Sequence, residues 1–297
     1  MNFDAVIIGG SYAGMAAGLQ LARARRKIVL VDVGQPRNRF AAHSHGFLTQ
    51  DGTPPAEIAA EARSQLMEYP TVEWRTGQVA AITGQADNFS VALADGGSYQ
   101  ARRIILAAGV TDELPGLPGL AELWGKHVFH CPYCHGYELG KEGIGVLATS
   151  ELAMHHGLML PDWGATTLFL NDAFAPNAEQ LAQFKARGTQ VEYGAAARLN
   201  EQAEGVELVM QDDRVFSLVG LFVAPRIHLS PLIAQLGCEL EESPMGSIVK
   251  TDAMQTTSIP GVFACGDIAR AAGSVTFAVA DGAMAGLAAH RTLMFGI

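Results

Sequence analysis

The sequence predicts an α/β fold made of two doubly wound units, each a largely parallel sheet covered by helices. Two observations carry that prediction. Residues 3–32 run in the order strand, glycine turn, helix, strand, and residues 144–170 run strand, turn, helix, strand. A third observation supports it: 49% of the chain is hydrophobic and 17% charged, enough apolar material for two cores and far from a disordered composition.

Each element follows from a local signal. Residues 3–8 form a short apolar run of strand type, and Gly9-Gly10-Ser11-Tyr12-Ala13-Gly14 makes the turn. Residues 15–26, rich in Ala, Leu, Gln and Arg, predict a helix, and residues 27–32 a second buried strand. A loop of Pro, Arg, Asn and His occupies residues 34–52. Thr53 is expected to cap the next helix, with Pro54 at its first position. Residues 72–106 predict a small antiparallel meander turning at Asp95-Gly96-Gly97, and residues 104–108 a buried strand stopped by Gly109. The run Leu114-Pro115-Gly116-Leu117-Pro118-Gly119 is the expected crossing between domains. Strands at 144–149 and 166–170, with helices at 150–160 and 178–187, make the second unit. His155-His156 on the first of these helices reads as a surface or interface pair.

Composition excludes several classes of function. A net charge of −10 opposes non-specific nucleic-acid binding, which needs a basic face. No apolar run reaches the roughly 20 residues that span a bilayer. Four cysteines are too few for a disulfide-stapled scaffold, and the N-terminus has no basic stretch before its apolar run. The expected setting is cytoplasmic and reducing.

The first turn carries chemistry. A strand, a glycine turn and a helix present unpaired amides and a positive dipole end to a pyrophosphate. Gly9 and Gly14 fill the outer positions of a dinucleotide fingerprint, with Gly10 and the small Ser11 between them. Asp32, ending the second strand, stands where an acid binds a ribose. The second turn is different. Ala148-Thr149-Ser150-Glu151 has no glycine, Glu151 brings negative charge where a pyrophosphate would sit, and Asn171-Asp172 follows the next strand.

The sharpest stretch is His130-Cys131-Pro132-Tyr133-Cys134-His135-Gly136-Tyr137-Glu138. Two thiols at C-x-x-C spacing can close a small disulfide loop and move two electrons by exchange. Two alternatives stay open at this point: a zinc knuckle with nitrogens from His127, His130 or His135, and two buried structural thiols.

Two further runs carry a resemblance. Val262-Phe263-Ala264-Cys265-Gly266-Asp267 resembles the second FAD motif of flavin disulfide reductases, whose Asp binds the ribityl chain. Ile105-Leu106-Ala107-Ala108-Gly109 resembles their middle motif, with Ala108 in place of the usual Thr. With the dithiol, the chain resembles the low-molecular-weight thioredoxin reductase family end to end. Cys134-His135-Gly136-Tyr137-Glu138 is similar to the gliotoxin- and holomycin-type dithiol oxidase branch.

The resemblance implies two Rossmann-like domains of the flavin disulfide reductase type. Residues 1–115 and 246–297 would bind FAD, and residues 116–245 would carry the dithiol. It implies a homodimer. FAD would meet Gly9, Gly10, Ser11, Tyr12, Ala13, Gly14 and Asp32 at the first turn, and Ala108, Gly109, Gly266 and Asp267 at later strand ends. Arg39, with Arg37 beside it, would lie near the phosphates or adenosine. Val79 and Asp51 complete the set, with His45 at the flavin ring. The amides of Val275 and Thr276, just before the C-terminal helix, would face the flavin O2 end. Cys131 would meet the substrate and Cys134 the flavin. His135, replacing the family's Asp, would titrate near neutrality and manage protons. The family's arginine pair for the NADPH 2′-phosphate is missing, which leaves NAD(P)H doubtful. The expected function is oxidation of a small or protein dithiol to a disulfide, with oxygen as acceptor and no metal. The alternatives are an NAD(P)H-dependent disulfide reductase and, outside enzymes of this class, a zinc-knuckle binding module.

Overall fold

A computed structural model describes residues 2–296; Met1 and Ile297, which close the expected domain bounds, lie outside the described residues. Contacts divide the chain into two units. One comprises the residues up to Arg39, Gly46–Thr111, and those from Ile227 onward; the other comprises Phe40–His45 and Asp112–Arg226.

The first unit opens with β1 (Asn2–Ile8), α1 (Tyr12–Arg23) and β2 (Ile28–Asp32). α2 (Pro55–Met67) leads to β3 (Val72–Thr76), β4 (Val79–Gln85), β5 (Asn88–Leu93) and β6 (Ser98–Leu106). The sheet order is β3-β2-β1-β6-β5-β4. β6 is long enough to serve two partners on one side. Its first half pairs antiparallel with β5, and its second half pairs parallel with the strand Val262–Ala264. Apolar residues line both sheet faces. Val6, Val29 and Ile104 pack on one side with Phe89 and Ile268. Ile7, Leu30 and Ile105 pack on the other against Met15, Leu21 and the C-terminal helix, Val275–Phe295. That helix lies close on α1 because Gly282 has no side chain: a Cβ there would stand 2.1 Å from the Ala13 carbonyl oxygen.

Three expectations shift. α1 begins at Tyr12 rather than at residue 15, because Ser11 takes the extended N-cap conformation and the later turn residues enter the first helical turn. Pro54, not Thr53, is the cap of α2, and Pro55 takes the first position. β3 leaves the meander to pair parallel with β2; β4, β5 and β6 form the antiparallel part.

The second unit centres on a five-stranded parallel sheet. Its order is Gln190–Glu192, Thr166–Phe169, Ile144–Leu147, Gly220–Val223, Val128–Phe129. An antiparallel meander of Ala196–Gln202, Gly205–Met210 and Val215–Leu218 packs its apolar residues beside Leu120, Leu123 and Leu221. The helix Ala178–Arg187 matches the sequence reading, with an Asn177–Gln180 capping box and left-handed Gly188 at its end. The helix expected over 150–160 is shorter, Ala153–Met159, because residues 149–152 form bends and turns.

One buried cation ties the first unit together. Arg103 is 0% exposed. Its Nε donates to Thr292 Oγ1 at 2.8 Å, its Nη2 to the Thr292 carbonyl at 2.9 Å, and its Nη1 to Asp87 Oδ1 at 2.9 Å. The last turns of the C-terminal helix are thus held to the β4–β5 turn. Replacing Arg103 with Met removes these bonds and is expected to lower the unfolding free energy by about 2–3 kcal/mol in urea titration. An unchanged midpoint would show the network to be dispensable.

Candidate active site

The carboxyl ends of the parallel strands of the first unit converge on one turn. Gly9 donates to the Val31 carbonyl, Ala107 to that of Ile8, and Cys265 to that of Leu106. Gly9 (φ +104) and Gly14 allow the close approach. A Cβ on Gly9 would stand 2.2 Å from the Ala107 oxygen, and one on Gly14 would stand 1.9 Å from the Gly9 oxygen. No side chain caps α1 and no acid lies in its first turn, so the amides there face the turn without a competing carboxylate. Asp32 accepts from the Gly10 amide at 3.0 Å and the Gly34 amide at 3.1 Å. Tyr12 is buried; its hydroxyl donates to the Pro55 carbonyl and accepts from Asn38, and burial raises its pKa.

Other candidate residues form smaller groups of their own. Asp267 follows Gly266 (φ +76) and accepts from Arg37 Nη1 at 2.9 Å. Gly46 links two more: its amide donates to Asp51 Oδ1 at 2.8 Å, and its carbonyl accepts from Thr276 Oγ1 at 2.9 Å. Val275 and Thr276 are the first residues of the C-terminal helix rather than its approach, with Ser274 as the cap. Arg39 donates to the Pro36 carbonyl, Val79 is buried in β4, and Ala108 and Gly109 follow β6.

The sulfur pair lies in the second unit. Cys131 and Cys134 form a disulfide with a Cα–Cα distance of 5.3 Å. Cys131 caps the short helix Pro132–His135, and both cysteines are only half-buried. Tyr133, between them, is 75% exposed and meets Trp163 edge-on at 5.2 Å. His135 stacks on Phe129 at 4.4 Å between ring centroids. Burial, and to a smaller extent the neighbouring His45, push its pKa down to about 4. The expectation of titration near neutrality is therefore not met: the ring is neutral at pH 7. His45 groups with this unit, its Nδ1 lying 3.4 Å from Glu138 Oε1.

The second turn has become a bonded structure. Asn171, in the left-handed region (φ +50), donates from Nδ2 to the Ala148 carbonyl at 3.2 Å and accepts from the Ala196 amide at 2.9 Å. Glu151 accepts from Gln180 Nε2 at 2.5 Å. The strand end where a dinucleotide would need open backbone is thus taken by a side chain.

Residues 3–282 match the pyridine nucleotide-disulphide oxidoreductase family. The chain belongs to that family. It is 32% identical over 305 residues to thioredoxin reductase tcpT of Claviceps purpurea, covering 98% of this chain and 94% of the relative. Identity is also 32% over 304 residues with thioredoxin reductase sirT of Leptosphaeria maculans, covering 96% and 92%. An oxidoreductase from Agrobacterium tumefaciens has a solved structure that matches with a TM-score of 0.97 at 54% identity, covering 100% of both chains. The chain is therefore an oxidoreductase of the thioredoxin reductase-like kind, and the resemblance read from its motifs holds along its length. The zinc-knuckle alternative finds no support, because the two sulfurs are bonded to each other and the relatives are oxidoreductases. This family implies a flavin, and the first unit fits one. Its glycine cradle has no room for a Cβ, its helix end is free of acids, and Asp32 and Asp267 follow strands of the same sheet.

Sequence reading missed several partners. Glu138 stood in the quoted motif without a role, and its contact with His45 is long-range. Asp281, buried on the C-terminal helix, holds Arg270 through two bonds of 2.7 and 2.8 Å. His156 is 8% exposed, not a surface residue, because its helix turns that side toward Phe222. Burial pushes its pKa down to about 4 as well.

Both depressed imidazoles give a pH dependence with a definite sign. Below the ordinary value of 6.5 the unfolded chain takes up protons that the folded chain refuses. Their contribution is complete above 6.5 and is lost as pH falls toward about 4. The urea midpoint is expected to drop across that window, and more steeply than in the His135→Gln, His156→Gln double variant. Equal slopes would show that the rings are protonated in the fold.

Proposed function

We propose that the chain is an FAD-dependent dithiol oxidase that closes a disulfide in a small dithiol, with oxygen as the final acceptor. The observation that carries this reading is the second turn. Without glycine and carrying Glu151, it offers a nicotinamide dinucleotide neither the close backbone approach that glycine allows nor a matching charge. Electrons then have to enter through the disulfide rather than from NAD(P)H.

In this reading Gly9, Gly10, Ser11, Tyr12, Ala13 and Gly14 hold the FAD pyrophosphate and Asp32 the ribose. Ala108, Gly109, Gly266, Asp267 and the Val275–Thr276 amides serve the remainder. A substrate thiolate attacks Cys131 Sγ; the S–S bond breaks and Cys134 leaves as a thiolate. The second substrate thiolate attacks the substrate sulfur of the mixed disulfide, so the substrate leaves oxidised by two electrons and Cys131 is released reduced. His135, unprotonated at working pH, accepts a thiol proton, and His45 with Glu138 lies next to it as an onward path. FAD, when bound, supplies the two-electron acceptor that restores the disulfide and passes the electrons to oxygen, giving hydrogen peroxide.

The relatives' name, thioredoxin reductase, keeps an NAD(P)H-dependent reductase as the rival. Anaerobic mixing separates the two. Dithiothreitol is expected to bleach the flavin absorbance, and NADPH at about 100 μM, a concentration typical of enzyme KM values, to leave it unchanged. Admitting air should then yield peroxide in step with the dithiol consumed. Rapid bleaching by NADPH would overturn the reading. Cys134→Ser should reduce dithiol-driven turnover to background.

We also propose a homodimer as the working form. The C-terminal helix leaves Leu287 and Met294, which lie about two turns apart on one side, exposed. Leu287→Arg is expected to halve the mass measured by light scattering. A wild-type protein that is already monomeric would overturn this.

A further inference from the structure

We propose that Trp74 is a positioning residue for Asp32, the carboxylate proposed to hold the FAD ribose, and that it acts through Gly10. Trp74 belongs to none of the motifs in the sequence. It stands on β3 opposite Leu30 of β2, with Thr76 opposite Asp32. Side chains alternate along a strand, so Leu30, Asp32, Trp74 and Thr76 share one face of the sheet. An aromatic side chain is long enough to reach past its direct partner to the diagonal neighbour. Trp74 does so, and its ring meets the turn that follows β1.

Gly10 shows where the ring ends. Its backbone is not in the left-handed region, so its conformation alone would accept a side chain. Space is what excludes one. An added Cβ would stand 2.5 Å from Trp74 Cη2, 2.6 Å from Trp74 Cζ2 and 2.8 Å from Asp32 Cβ. The outer edge of the indole and the root of the Asp32 side chain therefore close on the same side of Gly10. The ring itself is held. It is half-buried and packs with the core that contains Leu30 and Leu66. The Arg63 guanidinium, from α2, lies over it at 4.1 Å from the centroid.

This contact has leverage on the carboxylate. The Gly10 amide donates to Asp32 Oδ1 at 3.0 Å, and the Gly34 amide to Oδ2 at 3.1 Å. An ionised carboxylate accepts about four hydrogen bonds, so each oxygen keeps a lone pair after these two are made. Two acceptors side by side match the adjacent hydroxyls of a ribose. The Asp32 main chain is tied separately to the end of β3, where the Gly77 amide donates to its carbonyl at 2.9 Å. With the indole edge removed, Asp32 stays in the sheet while Gly10 is free to draw back. The Oδ1 bond then lengthens and the carboxylate turns out of register with the hydroxyls.

The inference rests on Asp32 being the ribose ligand, and its test separates the two ideas. FAD is titrated into the deflavinated protein, with flavin fluorescence giving Kd. Asp32→Ala is expected to weaken binding by about tenfold. Affinity equal to wild type in that variant would remove the ribose reading itself. Trp74→Phe keeps a ring on the sheet but is too short to meet Gly10. It should raise Kd by about fivefold in the wild-type chain, and by less than about twofold once Asp32 is Ala. Equal losses in the two backgrounds, or wild-type affinity in Trp74→Phe, would reduce Trp74 to packing and overturn the proposal. Gly10→Ala gives an independent measurement. It should cost about tenfold in the wild-type chain but less than about threefold beside Trp74→Phe, where the ring edge has withdrawn. The same loss in both would trace this glycine to phosphate approach alone, against the proposal.

Discussion

Backbone packed directly on backbone at the end of β1 is the constraint from which the first unit's chemistry follows. Gly9, Gly14 and Ala107 meet at distances that leave no room for a single added carbon. This contact draws the start of α1 over the strand ends, and Gly282 brings the C-terminal helix onto α1 in the same way. Helix amides, Asp32 and Asp267 are then gathered at the edge of one sheet by main-chain geometry rather than by side-chain bonding. A site built this way is stiff before anything binds, which limits the ordering cost of binding.

The second unit uses the same strand–helix–strand plan with side chains where the first has glycine. Asn171 bonds the strand end, Glu151 pairs with Gln180, and the short helix Ala153–Met159 starts without a side-chain cap. The first two tie the turn to its neighbours, and Glu151 brings a charge that opposes phosphate. Comparing the two units thus separates topology from function: strand order is common to both, whereas the chemistry depends on a few residues at the turn.

The sequence made most of the architecture legible, and the errors have physical causes. Helix 178–187 was readable to the residue because Asn177, Gln180 and Gly188 mark its ends with side-chain and backbone chemistry. The start of α1 was placed late because glycines that allow close packing look like glycines that break helices. The pairing of β3 with β2 depends on a crossover that local pattern does not encode. The sulfur pair and the glycine turn stood out as spacing. The contact of His45 with Glu138 did not, because the fold brings distant segments together. The burial of His156 was hidden because a helix of 7 residues is too short to display its buried side.

The two depressed imidazoles bear on the direction of the chemistry. A reductase working on a disulfide has to deliver a proton to the thiolate it releases, and an acid with a pKa of about 4 is almost never loaded at neutral pH. A catalyst that takes in a dithiol has the opposite need, a vacant acceptor beside the sulfur, and His135 is vacant across the physiological range. Its low basicity means that a proton does not rest there, so on the proposed reading the proton has to be released promptly. Burial and the neighbouring His45, which depress the His135 pKa, thus leave the ring uncharged at neutral pH next to the sulfur loop.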